Sequence, residues 1–263
     1  MAEIMKWKAS VRWVALMAGI SLAGLFAAPP AWGLGDASKL VIPQVLYQGG
    51  QYKPRPRALE SLLAQVGKRT SVEVKRDPLD LELTDPRLFR HPFLYMGGDL
   101  PFSPFATPAV KRLRDYLNFG GFLLVDDNSS QPNSGFDASV RRLIQALFPH
   151  TPLEKIRSDH SIFRSFYLVN QVAGRTPIRP YIEGITLKGR TVLVYCGNDL
   201  GGAWSKNKLG HWSLDMVGGG PRQRTLSVRL GVNLVLYSLT LDYKKDLVHL
   251  PIILERLRRY DSR

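Results

Sequence analysis

The stretch GGFLLVDDNSS, residues 120–130, decides the fold. In it, four consecutive apolar residues follow two glycines and precede two acids and an amide. A strand with one face in water alternates apolar and polar residues, whereas an unbroken apolar run is typical of a strand covered on both faces of a parallel sheet. The sequence therefore predicts a buried parallel strand that ends at Asp126, Asp127 and Asn128.

Strand and helix patterns alternate along the rest of the chain. Apolar runs next to turn residues predict further strands within KLVIPQVLYQGG, TSVEV and HPFLYMGGD, and on both sides of Lys188-Gly189. Helical spacing of apolar residues predicts helices within RPRALESLLAQVGK, DASVRRLIQALF and RTLSVRLGVNLVLYSLT, and one that begins at Thr107-Pro108 with Thr107 as its cap. Residues 150–179 are predicted to be an insertion or an edge element.

This alternation predicts an α/β fold, a three-layer α/β/α arrangement around a mostly parallel sheet. We place it in one domain, residues 34–263, which ends in an amphipathic helix built on Ile253, Leu254 and Leu257.

The first 33 residues have the pattern of a secretory signal peptide. A basic start is followed by an apolar run over residues 13–28 and by the motif AWG, which predicts cleavage before Leu34. The run is short for a membrane span, so we expect a periplasmic or otherwise exported protein with a cleaved signal. An uncleaved membrane anchor is the alternative, and the intact mass of the protein from its native host would distinguish the two.

The chain is strongly basic, with a formal net charge of +14. Its lysines and arginines are scattered and no nucleic-acid motif accompanies them, so nucleic acid is not predicted as a partner. For an exported protein, the expected counterparts of this charge are an anionic envelope polymer or an anionic lipid. Cys196 is the single cysteine, which excludes an internal disulfide.

The predicted strands end in glycines and acids. Because the carboxyl ends of parallel strands share one rim, where ligands bind in such sheets, these residues are candidate ligand-binding groups. With a histidine and a tryptophan from nearby loops, the candidates are Gly49, Gly50, Gly98, Asp99, Asp126, Asp127, Asn128, His160, Asp199 and Trp204.

Two interpretations of these candidates stay open. The acids and His160 have the chemistry of a divalent-cation site or of an acid/base pair, and apart from such a metal no cofactor is predicted. Alternatively, the acids cap helices and hold loops together. On the first interpretation, Asp127 faces the cleft, Asp126 is the more buried of the pair, and Trp204 forms a wall over the ligand.

Five stretches, in order, resemble the domain-of-unknown-function family 4159 (DUF4159). They are LYQGGQYKPRPRALESLL, HPFLYMGGD, LRDYLNFGGFLLVDD, DHSIFRSFY and GRTVLVYCGNDLGGAW. The resemblance implies a fold similar to that of flavodoxin and the class I glutamine amidotransferases. It also implies MoxR-type ATPases and proteins with von Willebrand A domains as partners, because members of the family are often encoded near them.

The chain departs from true amidotransferases where their nucleophile lies. Those enzymes carry a cysteine in a G-x-C-x-G elbow and a later histidine and glutamate, whereas here the equivalent strand ends in Asp126-Asp127 and no His-x-Glu pair occurs. Glutaminase activity is therefore not expected. Two functions remain: an exported, non-catalytic module that binds a ligand or a partner protein, or an envelope hydrolase that uses the Asp/His cluster, with or without a metal.

Overall fold

The computed structural model describes residues 39–240. The predicted signal peptide, the predicted start of the domain at residue 34 and the predicted C-terminal helix around Ile253 lie outside the described residues. The described part contains a seven-stranded sheet. Its strands are β1 (Gln44–Leu46), β2 (Asp80–Glu82), β3 (Phe93–Gly98), β4 (Phe122–Asp127), β5 (Glu154–Lys155), β6 (Glu183–Leu187) and β7 (Arg190–Cys196).

The sheet is mostly parallel, as predicted. Its order is β2-β1-β3-β4-β7-β6-β5, and every pair from β2 to β7 is parallel, whereas β6 and β5 are antiparallel additions at one edge. The chain passes from β1 to β2 on one side and then to β3 on the other side of β1. This reversal makes the crevice between β1 and β3 the topological switch point of the sheet.

Helices cover both faces of the sheet, so the three-layer prediction is confirmed. The helices are α1 (Ala58–Arg69), α2 (Thr107–Asn118), α3 (Gly135–Leu147), α4 (Leu200–Trp204) and α5 (Gly220–Thr240), with 3-10 turns at Pro86–Arg90 and Ser161–Arg164. Helices α1, α4 and α5 contribute to one hydrophobic cluster, and α2 and α3 contribute to the other. None of the helices in the described part is long and apolar enough to cross a membrane.

Strand β4 explains why an unbroken apolar run is needed here. Phe122 and Leu124 belong to the cluster under α1 and α5, and Leu123 and Val125 to the cluster under α2 and α3. All four side chains are fully buried. Burying each such side chain contributes about 1.5–3 kcal/mol, and a polar residue at any of them would face a packed helix.

Two details of the prediction are wrong. TSVEV is not a strand, since Val74 forms only an isolated bridge with Leu40, and the second strand is Asp80–Glu82. This strand has three residues, two of them acidic, so it carries too weak an apolar pattern to detect. Thr107 does not cap α2, because the cap position is Ala106 and no side chain bonds there. The predicted edge element is confirmed by β5 at the edge of the sheet.

Candidate functional site

The carboxyl ends of β3, β4 and β7 bring four predicted site residues together. In register, Gly98 of β3 lies opposite Asp127, and Asp126 lies opposite Cys196 of β7. The backbone N–H of Asp199 donates to the carbonyl oxygen of Asp127 at 3.1 Å, and that of Asn128 donates to Gly98 at 2.7 Å. Asp126, Asp127, Asn128 and Asp199 therefore form one cluster, which we call the acidic rim.

Asp126 is fully buried, and its carboxylate accepts four hydrogen bonds. Oδ2 accepts from the Tyr95 hydroxyl at 2.7 Å, from Asn128 Nδ2 at 2.8 Å and from the N–H of Gly201 at 2.6 Å. Oδ1 accepts from the N–H of Leu200 at 2.9 Å, so Asp126 fixes the start of α4. Burial, reinforced by the negative charge of Asp199, raises the pKa of Asp126 to about 6, although the hydrogen bonds from Gly201, Tyr95 and Leu200 oppose that shift.

Asp199 is also fully buried and lies between two arginines. Its Oδ1 and Oδ2 accept from Arg55 Nε at 3.1 Å and Nη2 at 3.0 Å, and Arg175 Nε donates to Oδ2. The side chains of Arg55 and Arg175 are only 16% and 18% exposed. Oδ1 also accepts from Asn128 Nδ2 and from the N–H of Gly202, both at 2.9 Å, which makes Asp199 the cap of α4.

Asp127 points to the opposite face of the sheet and does not face a cleft. Its Oδ2 accepts from the Ser134 hydroxyl at 2.6 Å and from the Tyr195 hydroxyl at 3.2 Å, and Oδ1 accepts from the N–H of Ser129 at 2.9 Å. Ser134 in turn caps α3 by accepting from the N–H of Asp137. Asp126 is 0% and Asp127 2% exposed, so neither acid of the pair is open to solvent. The geometry of Asp127 matches the interpretation in which the acids hold loops together, because the cap of α3 is Ser134 and Asp127 binds that cap and the N–H of Ser129.

Replacing Ser134 with alanine is therefore expected to reduce the free energy of unfolding by about 0.5–2 kcal/mol. The change removes the cap of α3 and one donor to the buried Asp127 carboxylate. Urea denaturation of the variant measures the loss, and Ser71→Ala, at an exposed loop position, is the matched control that should leave stability unchanged. Equal midpoints for the two variants would contradict the capping geometry.

Three of the glycines at the strand ends are required for packing. A Cβ at Gly98 would lie 2.2 Å from both the Phe136 ring and the Tyr47 hydroxyl. Gly49 has φ +82°, and its Cβ would lie 2.2 Å from Ser103 Oγ. Gly50 sits against the carbonyl oxygen of Pro101 in the same way, at 2.8 Å. These contacts hold the loop after β1 against the loop after β3.

Asp99 differs from the other acids at this edge. It is partly exposed, and its buried Oδ1 has no hydrogen-bond partner. Burial, with the charges of Asp199 and Asp127, raises its pKa against the opposing effect of Arg55. Asp99 is therefore the one predicted acid whose carboxylate is not fully engaged.

The structure does not bring His160 or Trp204 into the acidic rim. His160 lies near the amino end of β7, where Nε2 is 3.1 Å from Thr191 Oγ1 and Nδ1 accepts from the N–H of Ile162. Trp204 is 1% exposed, and its Nε1 donates to the carbonyl oxygen of Ser227 at 2.9 Å. Trp204 is thus a core residue and does not form a wall over a ligand.

An open cleft lies beside the switch point. It has a volume of about 460 Å³ and is lined by residues at the ends of β1 and β2 and before α2, among them Tyr47, Gln48, Glu82, Ser103 and Phe105. This volume falls in the range of small-molecule sites. The switch-point cleft is thus an accessible concave surface at this edge, whereas the acidic rim is closed.

The family follows from a comparison with known families. The family model described as domain of unknown function (DUF4159) matches residues 41–239. The chain belongs to this family. No curated protein matches it. The DUF4159 region contains every strand and helix start of the described structure, together with the acidic rim and the switch-point cleft.

Within residues 39–240, no group of three or more His, Cys, Asp or Glu side chains could hold a metal ion. Cys196 at the end of β7 is fully buried. Its burial, together with the charge of Asp126, raises the pKa of the thiol well above its ordinary value, so a reactive thiolate is disfavoured.

Sequence reasoning missed the two arginines that bind the acidic rim. Arg55 and Arg175 contact Asp199 from positions 144 and 24 residues away in sequence. Arg175 also contacts Ser130, whose hydroxyl accepts from Thr176 at 3.0 Å. The one available signal was that Arg55 lies in the loop between β1 and α1, which the strand-end argument already placed at the rim.

Proposed function

We propose that this chain is an exported, non-catalytic module that binds a ligand or a partner protein at the cell envelope, on a scaffold similar to that of the class I glutamine amidotransferases. One observation carries the proposal. Each of the three acids of the acidic rim is already engaged by hydrogen bonds or arginines and is closed to solvent.

A general base needs a free lone pair within reach of the proton that it removes. Asp126 accepts from two backbone N–H groups, a phenol and an amide, and Asp199 is clamped by Arg55 and Arg175. These contacts support a structural use of both acids, since they fix α4 on the sheet.

The position of the amidotransferase nucleophile supports the same conclusion. On the proposed scaffold, the glycine pair that ends β3 lies beside the end of β4, where the enzymes carry their cysteine elbow. Here Asp126 and Asp127 stand at that end, and Cys196 lies buried on the neighbouring strand. Acyl transfer through a thiolate is therefore not part of the proposal.

The switch-point cleft is the place where we propose that binding occurs. It lies at the carboxyl ends of β1 and β2 and beside the loop that follows β3, next to the switch point at which ligands bind to doubly wound sheets. The accessible groups there include the side chains of Gln48, Glu82 and Thr84 and the exposed loop before α2. Family resemblance favours MoxR-type ATPases or proteins with von Willebrand A domains as partners, and an anionic envelope polymer or lipid as the alternative counterpart of the basic surface.

A second candidate function, an envelope hydrolase with or without a divalent metal, rests on one residue. Asp99 has an unpartnered Oδ1 and a raised pKa, which are properties of general acids and bases. The three acids of the acidic rim are closed to solvent and already hydrogen-bonded, so none of them can act as a proton donor or acceptor together with Asp99.

Hydrolytic assays distinguish the two candidates. The full chain is tested against glutamine and against p-nitrophenyl esters, phosphates and glycosides, with and without Mg²⁺, Mn²⁺ and Zn²⁺. We expect no turnover above that of heat-denatured protein. Turnover that Asp99→Asn abolishes, but that Asp77→Asn at an exposed loop position leaves unchanged, would establish the hydrolase instead.

A further inference from the structure

A second cleft lies on the other side of the molecule, between the end of α1 and the start of α5. It has a volume of about 620 Å³ and shares no lining residue with the switch-point cleft. The loop between α4 and α5 closes it on one side and contributes Trp212, Asp215 and Met216 to its wall. We call it the α1/α5 cleft.

The α1/α5 cleft has an excess of positive charge. Its lining contains three cations, Lys68, Arg69 and Arg224, and one acid, Asp215. Among the residues that the structure describes, none of the three cations forms an ion pair. The arginines of the acidic rim differ in this respect, because Arg55 is paired with Asp199. The lining of the cleft thus contains three cationic side chains that form no ion pair with a described carboxylate.

Arg224 holds one of these positive charges at a fixed position in the wall of the cleft. The residue is only 8% exposed, and its guanidinium donates to the carbonyl oxygens of Ala203 at 2.8 Å and Leu214 at 2.6 Å. Its Cζ lies 4.4 Å from the centroid of the Trp212 ring. These contacts satisfy N–H groups and fix the side chain, but carbonyls and a ring do not neutralise the charge. Asp215, the one acid of the cleft, acts on Arg224 electrostatically but forms no ion pair with it. A buried cation that is held without a contacting carboxylate favours the arrival of an anion.

The remaining lining suits the rest of an organic molecule. Met216 and Val228 offer apolar surface, and Trp212 is held in place because Lys206 Nζ also lies 4.3 Å from its ring centroid. Gly220 and Pro221, at the start of the 21-residue helix α5, add the positive end of a helix dipole to the same wall.

We propose that the α1/α5 cleft binds a small organic anion, with its phosphate or carboxylate group between Lys68, Arg69 and Arg224 and its apolar part on Met216 and Val228. The volume accommodates a molecule of the size of a sugar phosphate or a uronic acid. The site is independent of the proposed function at the switch-point cleft, because the two clefts share no lining residue.

Calorimetric titration of the full chain with glucose 1-phosphate and with glucuronate tests the proposal. Glucose is the neutral control, and vesicles of phosphatidylglycerol test whether the phosphate must belong to a lipid headgroup. We expect binding of at least one of the two soluble anions, no binding of glucose, and a change in the fluorescence of Trp212 that Trp212→Phe removes. Because the contacts are charged, binding should also weaken as salt is raised.

The deciding variant is Lys68→Gln/Arg69→Gln, at two exposed positions of α1. We expect it to bind at least about tenfold more weakly, the loss that follows from removing one charge-assisted hydrogen bond. Its charge-matched control is Arg90→Gln/Lys111→Gln, at exposed positions outside the cleft. The proposal is overturned if neither soluble anion binds, if only the vesicles bind, or if both double variants lose affinity equally.

Discussion

Replacing Asp199 with alanine is expected to reduce the free energy of unfolding by about 3–5 kcal/mol, the loss typical of a buried ion pair from which one partner is removed. Asp199 is 0% exposed and is the common acceptor for Arg55 and Arg175. Without it, the two guanidinium groups stay close together with little access to water. Asn128 and the N–H of Gly202 also lose an acceptor.

Urea denaturation at neutral pH measures this loss. Asp159→Ala is the matched control, because Asp159 also pairs with an arginine, Arg157, but both side chains are exposed, at 61% and 83%. Its denaturation midpoint should barely move, as exposed ion pairs contribute little. If Asp199→Ala unfolds at the midpoint of the wild-type protein, the arginine clamp does not stabilise the rim.

The parts of the fold that could be predicted are those whose signal is local. The apolar run of β4 and the turn at Lys188-Gly189 each lie within a few residues, and both are found as expected. Lys188 and Gly189 have φ values of +50° and +76°, as a two-residue hairpin turn requires. The strand β2 was missed because three residues at a sheet edge need no apolar pattern.

The candidate site was predicted in its location but not in its chemistry. The strand-end argument brought Asp126, Asp127, Asn128 and Asp199 to one edge, where the structure places them. The argument did not reveal which groups would surround them. Whether an acid is catalytic or structural depends on its hydrogen-bond donors, and Asp199 receives an arginine from 144 residues away. No pattern in a single sequence encodes such a contact.

The position of His160 outside the acidic rim could not be predicted from the sequence for the same reason. It follows a loop and precedes a 3-10 turn, so nothing local indicates which end of the sheet it approaches. Its contacts with Thr191 and Tyr237 place it near the amino end of β7. Burial lowers the pKa of His160, against the charge of Asp159, which keeps the ring neutral at physiological pH. A neutral ring that caps a turn explains the residue without a catalytic role.

The second large effect is a pH dependence of stability that originates at Asp126. Its pKa is raised from 3.8 to about 6 in the folded protein, mainly by burial and then by the charge of Asp199. Between these two values, the folded state binds more protons than the unfolded state, so stability falls as pH rises. The stabilising contribution is complete below pH 3.8 and is lost as the pH passes 6. A shift of about two pKa units corresponds to roughly 3 kcal/mol.

The contribution of Asp126 is isolated by comparing the wild-type protein with Asp126→Asn by urea denaturation between pH 4 and pH 7. Asparagine offers one acceptor oxygen for donors that the carboxylate accepts on two, so the variant is less stable throughout. Its stability should nevertheless lack the part of the pH slope that belongs to Asp126. The stability difference between the wild-type protein and the variant is therefore expected to shrink by roughly 2.4 kcal/mol from pH 4 to pH 7, since part of the full effect lies below pH 4.

If the difference in stability between the two proteins stays constant over that range, Asp126 titrates normally, and its donors just balance the burial of its charge and the charge of Asp199. If the difference in stability instead grows with pH, the hydrogen-bond donors lower the pKa of Asp126 in the folded protein below its value in the unfolded chain. Either result would mean that hydrogen-bond donors stabilise the charged Asp126 carboxylate enough that it needs no cation beside it. A raised pKa instead means that Arg55 and Arg175, which are committed to Asp199, leave Asp126 without a cation of its own.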